Sequence, residues 1–281
     1  MLIQLCLILL ILEEVKGPAL FTNYRSQWSE FSTSIVSLDI PIDKIYGGLG
    51  LLFLNDKAGV TNSNIYGLSY AYSFKLLENF SLRAGLEGSY ISKSIDWTKL
   101  TFGNMNSSRN GFIYEQQALQ DRVGMVDFSS GLLLSGKKIN IGFAVHHLTE
   151  PNESFIQGGY SPLPRKYSVH GSLTLNSGSF SFSPHVLFMS QKPSKQVNIG
   201  CYVNKGLVSG GMGIRITPYN PDALIFSLGL KHKYFRIGYS YDLTISSLGM
   251  KFGGSHEGFL AGVIPSKKGP KKQSPANLPI F

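Results

Sequence analysis

Charge is the first thing this chain lacks. Charged side chains make up 15% of its 281 residues, against ~25% in an average soluble protein, which argues against an ordinary water-soluble enzyme. Cysteine is nearly absent as well: Cys6 lies in an apolar N-terminal run and Cys201 on the apolar side of an alternating segment. Neither sits in a metal-binding or redox spacing, so both read as passive hydrophobes. No segment matches G-x-x-x-x-G-K-[ST], which removes the phosphate-cradling loop of nucleotide-driven machines. Long helical apolar runs are missing too. The opening stretch, MLIQLCLILLIL, falls short of the ~20 residues that a membrane-crossing helix needs. It has no basic residue before it and no small-x-small cleavage site, and Glu13 and Glu14 follow at once. Residues 1–16 therefore read as an atypical or truncated export segment, or as the remnant of a longer N-terminal strand.

What the chain does have is glycine (31 residues), aromatics (12%) and alternation. In INIGFAVH, Ile139, Ile141, Phe143 and Val145 share one side, while Asn140, Gly142, Ala144 and His146 share the other. In RKYSVHGSLTL, Tyr167, Val169, Leu173 and Leu175 oppose Lys166, Ser168, His170, Ser172 and Thr174. Side chains alternate faces along a strand, so a period of two means β-structure. The same pattern sets Val197, Ile199, Cys201 and Val203 against Asn198, Gly200, Tyr202 and Asn204, and Phe235, Ile237, Tyr239 and Tyr241 against Arg236, Gly238, Ser240 and Asp242. One face of such a sheet must meet something oily and the other something wet.

About fourteen strands follow, near 18–26, 31–40, 45–54, 63–74, 79–92, 125–134, 138–147, 165–175, 180–189, 196–204, 207–215, 222–230, 234–242 and 256–263. Most have the length that a tilted strand needs to cross a bilayer core. Short turns follow the even strands. Longer connections, at 55–62, 93–124, 148–164, 216–221 and 243–255, follow the odd ones. A β-sandwich gives alternation too, but has no reason to sort its loops by parity. An up-and-down outer-membrane barrel does, with tight turns in the periplasm and longer loops outside. An even strand count also closes the sheet, leaving no edge to face lipid. The expected fold is thus an all-β, antiparallel transmembrane barrel over residues 17–264. Trp28, Tyr24, Tyr46, Tyr90, Tyr167, Tyr234 and Tyr241, near strand ends, suit interfacial girdles.

The net charge of +9 is spread singly along the chain and makes no nucleic-acid patch. It gathers only in the Pro-rich tail, residues 265–281, where Lys267, Lys268, Lys271 and Lys272 follow the last acidic residue, Glu257. If the strand count holds, this tail emerges on the periplasmic side, either to meet an acidic partner or to stay solvated. His146 and His147, adjacent on a strand, point to opposite faces and cannot share a metal. His146 and His170, facing one lumen, suggest a hydrolase constellation with Ser154, Glu153 or Asp127, yet no nucleophile-elbow spacing accompanies them, so polar lumen contacts are preferred and no catalytic, metal or cofactor residue is assigned. Thr149–Ser154 groups oxygen donors that can hold Ca²⁺ or close the loop through Asx-type turns; the second is preferred. The connection from Asp96 to Arg122 is the longest, and long irregular loops usually serve a purpose.

The runs LNDKAGV (54–60), LRAGLEGSYISKSIDWTKLTFGNM (82–105), DFSSGLLLSG (127–136), GFAVHHLTEPNESF (142–155), LPRKYSVHGSL (163–173), VNIGCYVNKG (197–206), FRIGYSYDLTIS (235–246) and GGSHEGFL (253–260) resemble the PorP/SprF family of outer-membrane proteins. That family is attached to the type IX secretion and gliding systems of Bacteroidetes-type bacteria. The likeness runs from about Tyr24 to Leu260, with the segments in order. It implies a non-enzymatic accessory that accepts or holds a secreted adhesin-type substrate at the cell surface, through that substrate's C-terminal signal. Periplasmic or outer-membrane secretion-ring components and outer-membrane lipid are the other implied partners, and no nucleic acid or cofactor is. Candidate partner-binding residues on the long loops are Asp96, Trp97, Arg109, Tyr114, Glu150, Asn152, Glu153, Phe155 and Arg165, with the four tail lysines as candidate periplasmic contacts. The alternative from another class is a passive porin or hydrophobic-solute channel, since fourteen strands leave room for a lumen.

Overall fold

A computed structural model describes residues 17–28, 30–42, 45–99, 119–218, 221–245 and 253–264. The strands are β1 (Ala19–Gln27), β2 (Phe31–Ile42), β3 (Gly47–Ala58), β4 (Thr61–Leu77), β5 (Phe80–Ile95), β6 (Arg122–Gly136), β7 (Ile139–His146), β8 (Lys166–Leu173), β9 (Leu175–Ser177), β10 (Phe180–Gln191), β11 (Ser194–Lys205), β12 (Val208–Ile216), β13 (Pro221–Lys231), β14 (Phe235–Thr244) and β15 (Ser255–Val263). Apart from β8 and β9, which both pair with β10, every neighbour in sequence is an antiparallel neighbour in space, and β1 pairs with β15 from Ala19 opposite Val263 to Gln27 opposite Ser255. The ring is closed. β8 and β9 are one span broken at Thr174, because the register against β10 does not slip: His185 faces Ser172 and Phe182 faces Leu175. Pro184, which cannot donate a ladder bond, stands within that gap. The barrel therefore has fourteen spans, as the alternation anticipates.

The two faces separate as the period of two dictates. Ile139, Ile141, Phe143, Tyr167 and Val169 lie exposed on the outside, while Asn140, Ala144 and Ser168 are buried on the inside. Outside, Leu20, Leu51, Leu86, Phe128, Ile199, Phe226 and Leu228 continue an apolar belt around the wall. A surface that oily would aggregate in water but is solvated by lipid tails. Inside, Leu54, Leu133 and Ala144 are fully buried, and Phe21 stacks on Phe259 with ring centroids 6.2 Å apart. Among the described residues no helix is long and apolar enough to cross a membrane; the sheet does the crossing.

Two local expectations fail. The 55–62 segment is not a long connection but the paired tops of β3 and β4, joined by Gly59 and Val60 alone. Its polar residues bond to neighbouring strands: Asn55 Nδ2 donates across the hairpin to Asn62 and Asn64 at 2.7 and 2.8 Å, and Asp56 accepts from Thr33 of β2 at 2.6 Å. Polarity there marks strand rising above the lipid rather than loop. Gly59, with φ of 57°, supplies the left-handed residue that the tight turn needs. The second failure concerns His147. Its backbone is left-handed, φ 59°, which ends the alternation and turns its ring inward beside His146 rather than away from it.

The short connections at 78–79, 137–138, 178–179, 206–207 and 232–234 share one end of the barrel with both ends of the described ring, where the Ile264 amide donates to the Pro18 carbonyl. The long ones, 96–121, 147–165 and 245–254, share the other. Parity sorts the long loops, although 59–60 and 192–193 at that same end are tight.

Candidate functional site

The loop-bearing mouth is where unusual geometry concentrates. A single 3-10 turn, Trp97–Lys99, leaves β5, and the chain returns to the described structure at Leu119. There it meets the 147–165 connection. Leu119 bridges Ile156, the Gln120 amide donates to the Phe155 carbonyl at 2.8 Å, and the Trp97 and Phe155 rings meet edge to face at 6.1 Å. Lys93, at the top of β5, reaches up to Glu153 at 2.7 Å. Two of the candidate binding residues are thus in mutual contact, and a third is anchored to the barrel wall.

Within the 147–165 connection the chain closes on itself. Asn152 Oδ1 accepts from the amides of Ser154 and Ser161, and its Nδ2 donates to the Gly159 carbonyl at 2.7 Å. This is the Asx-type arrangement, and it consumes the amide that the Ca²⁺ alternative needs. Glu150 pairs with Arg165 at 3.5 Å, and the Arg165 Nε also donates to the Leu148 carbonyl. Asp96 caps its own turn, accepting from the Thr98 hydroxyl at 2.6 Å and pairing with Lys99 at 3.2 Å. Those hydrogen bonds, the Thr98 hydroxyl foremost, hold the Asp96 carboxyl below its usual range. Arg109, Tyr114 and the lysines at 267, 268, 271 and 272 lie outside the described residues. The same loop carries Tyr160, 80% exposed, together with exposed Ile156 and Leu148. Sequence reasoning missed Tyr160 because an aromatic between glycine and serine reads as a loop residue of no special kind.

Below the mouth lies a cavity of about 390 Å³, bordered by Arg25, Gln27, Thr33, Asp56, Lys166, Gln191, Gln196, Arg215 and Asp222. Its floor is a charge network across the β1–β15 seam. Asp242 accepts from Arg25 at 2.8 Å and from Arg215; Arg25 also reaches Glu257 at 3.0 Å, and Arg215 reaches Asp222 at 3.5 Å. Asn23 donates to the other Glu257 oxygen at 2.8 Å. These groups come from β1, β12, β13, β14 and β15, so the network ties the first strand to the last. Arg25, Arg215, Asp242 and Glu257 are charges at inward positions of their strands, while Asp222 reaches in where the register of β12 and β13 shifts. That made their facing legible from sequence, but not their meeting.

The hydrolase constellation does not assemble. His147 Nδ1 lies 2.7 Å from Asp127, whose other oxygen accepts from Thr149 at 2.8 Å. Ser154 Oγ is occupied within its own turn, donating to the Ile156 carbonyl and accepting from its amide. The Asp127–His147–Thr149 set pins the start of the loop to β6. Among the described residues no group of three or more His, Cys, Asp or Glu is placed to hold a metal ion.

A closed antiparallel barrel with an apolar outer belt, a polar inner wall and long loops at one end defines an outer-membrane β-barrel. The chain belongs to the family described as type IX secretion system membrane protein PorP/SprF, which it matches over residues 16–261. No curated protein matches it. Among solved structures it is similar to the Acinetobacter baumannii outer membrane protein Omp33, with TM-score 0.51 and 5% identity, covering 90% of this chain and 100% of that one. It is also similar to the CymD monoaromatic hydrocarbon channel, with TM-score 0.50 and 11% identity over 92% and 91% of the two chains. The P. putida toluene transporter TodX gives TM-score 0.50 and 9% identity over 89% and 91%. At such identities these likenesses carry the barrel fold alone.

Proposed function

We propose that this barrel is a non-enzymatic accessory of type IX secretion that holds a specific secreted substrate, of the gliding-adhesin type, at the cell surface by protein–protein binding. The observation that carries the reading is the loop end. The described ends of the 96–121 connection are fastened to the 147–165 connection through Trp97 and Phe155, and the latter to the wall through Lys93–Glu153 and Asp127–His147. Loops pinned before binding lose little entropy on binding. Tyr160, Ile156 and Leu148 stand exposed on that fixed framework, the residue types that anchor interfaces. Asp96, Trp97, Glu150, Asn152, Glu153, Phe155 and Arg165 act chiefly by giving the surface its shape.

The channel alternative fits the inner wall less well. Arg83, Glu87, Asp127, Asn140 and Asp242 point inward yet are each less than 9% exposed, whereas the wall of a water-filled pore is wet. At the other end, the basic tail with Lys267, Lys268, Lys271 and Lys272 meets an acidic surface of a periplasmic secretion-ring component.

The test is affinity purification of the barrel from outer membranes, with and without Tyr160→Ala. Co-purification of one large secreted protein, lost in the variant while the barrel still folds, is the expected result. Unchanged secretion and surface retention of all adhesins after deletion of this chain contradicts the proposal. A large steady current in a planar bilayer favours the channel.

A further inference from the structure

The two rims of the barrel differ in the signs of charge they expose. At the loop end both signs stand together: exposed Glu30, Asp121 and Glu150 lie among Lys57, Lys99, Arg122, Arg165, Lys192 and Lys195, and Lys93–Glu153, Lys99–Asp96 and Arg165–Glu150 pair there. The turn end exposes lysines almost alone. Lys75, Lys137, Lys138, Lys205 and Lys233 are exposed there, and Glu78 is the one exposed carboxylate among the described residues of that rim. The five are spread around the circumference, at the β4–β5, β6–β7, β11–β12 and β13–β14 turns. Two of them sit beside lipid-facing rings: Lys205 Nζ lies 4.8 Å from the Phe180 centroid, and Lys233 Nζ 5.2 Å from that of Tyr234. Aromatic rings of this kind settle where tails give way to headgroups, and a lysine beside them carries its ammonium to phosphate depth.

From this placement we infer that the turn-end rim is a binding collar for anionic phospholipid headgroups of the periplasmic leaflet, with Lys75, Lys137, Lys138, Lys205 and Lys233 as its phosphate contacts. A ring of ammoniums at one depth around a cylinder matches a leaflet. A docked protein needs its contacts gathered on one side. The collar would set how deep the barrel sits and which lipids surround it. It acts independently of what the loop end binds.

The full chain, reconstituted in phosphatidylcholine vesicles with a minor fraction of spin-labelled phosphatidylglycerol or spin-labelled phosphatidylcholine, tests this. Phosphatidylglycerol should be immobilised in preference, and the preference should shrink as salt rises. Lys137→Gln with Lys138→Gln should lower it about fivefold for each lysine removed, as should Lys205→Gln with Lys233→Gln. Arginine at the same positions should preserve it, and Lys99→Gln at the opposite end should leave it unchanged. Heat-modifiable migration on gels confirms that each variant folds. Equal retention of the two lipids, or an undiminished preference in folded Gln variants, overturns the proposal. Complete displacement by inorganic phosphate overturns it in favour of a free-anion site. Loss of a co-purifying protein with lipid preference intact overturns it in favour of a protein dock.

Discussion

The barrel's two ends are made from the same strands and solve opposite problems. At the loop end the chain rises clear of the lipid, charges of both signs stand together, and the described ends of the 96–121 connection are stitched to the 147–165 connection. At the turn end the connections shrink to two or three residues and exposed lysines face outward. Both signs on one side and lysines almost alone on the other mean that the loop end is built to keep its shape and the turn end to meet something anionic. The buried network beneath the loop end belongs to the first task, because it fastens the seam where the ring closes.

That contrast can be broken in graded steps. Asp242→Ala removes the carboxylate shared by Arg25 and Arg215 inside the wall. Leaving charges buried and unpaired costs about 3–5 kcal/mol, so the folded, heat-modifiable form should be lost at a markedly lower temperature or denaturant concentration. A variant as stable as the parent would show that the seam does not depend on this network. Phe226→Arg, on the lipid face of β13, should cost about 2–4 kcal/mol if it sits near the bilayer midplane, read as the shift in urea midpoint of the reconstituted barrel. The neighbouring Ser227 faces inward, and an apolar replacement there should cost far less. Equal costs would break the division of faces.

Smaller effects probe the loops alone. Trp97→Ala deletes the ring contact with Phe155, a contact type worth about 0.5–1.5 kcal/mol. Proteolysis and hydrogen exchange should quicken in the 96–121 and 147–165 connections while the barrel's melting holds. Lys93→Gln breaks a partly exposed pair with Glu153 and should cost at most about 1 kcal/mol, with the same local signature. The least effect belongs to Asp96. Its folded carboxyl titrates below the ordinary ~3.9 of an unfolded aspartate, so its help to the Trp97–Lys99 turn is complete above that value and fades as pH falls through the depressed one. Asp96→Asn should therefore slightly quicken exchange in that turn at neutral pH and remove the extra acid sensitivity of its protection.

How much of this was legible beforehand follows from what each feature depends on. The faces of β7, β8, β11 and β14 are written in alternation, which burial enforces residue by residue, and so the ring of fourteen spans could be counted. The tops of β3 and β4 could not. Above the lipid both faces are wet, and Asn55, Asp56, Lys57, Asn62 and Asn64 lose the oily half of the pattern while still pairing across the hairpin. His147 escaped because a left-handed backbone at a non-glycine residue leaves no trace in the sequence. Gly142, by contrast, has a reason visible only in three dimensions: a Cβ there would meet the His170 ring at 2.0 Å. The candidate loop was correctly seen as self-closing through Asn152, since an Asx turn is local chemistry. The meeting of Trp97 with Phe155, or of Arg25 with Asp242, depends on register around a whole ring and is not local.

The account stands most directly on which end of the barrel touches the secreted partner. A photo-crosslinking benzoylphenylalanine placed at Tyr160 in living cells, compared with one at Lys137, measures this. The expected result is a single heavy adduct with a secreted surface protein at position 160 and none with it at position 137. The same secreted protein captured at 137 and absent at 160 would contradict the account.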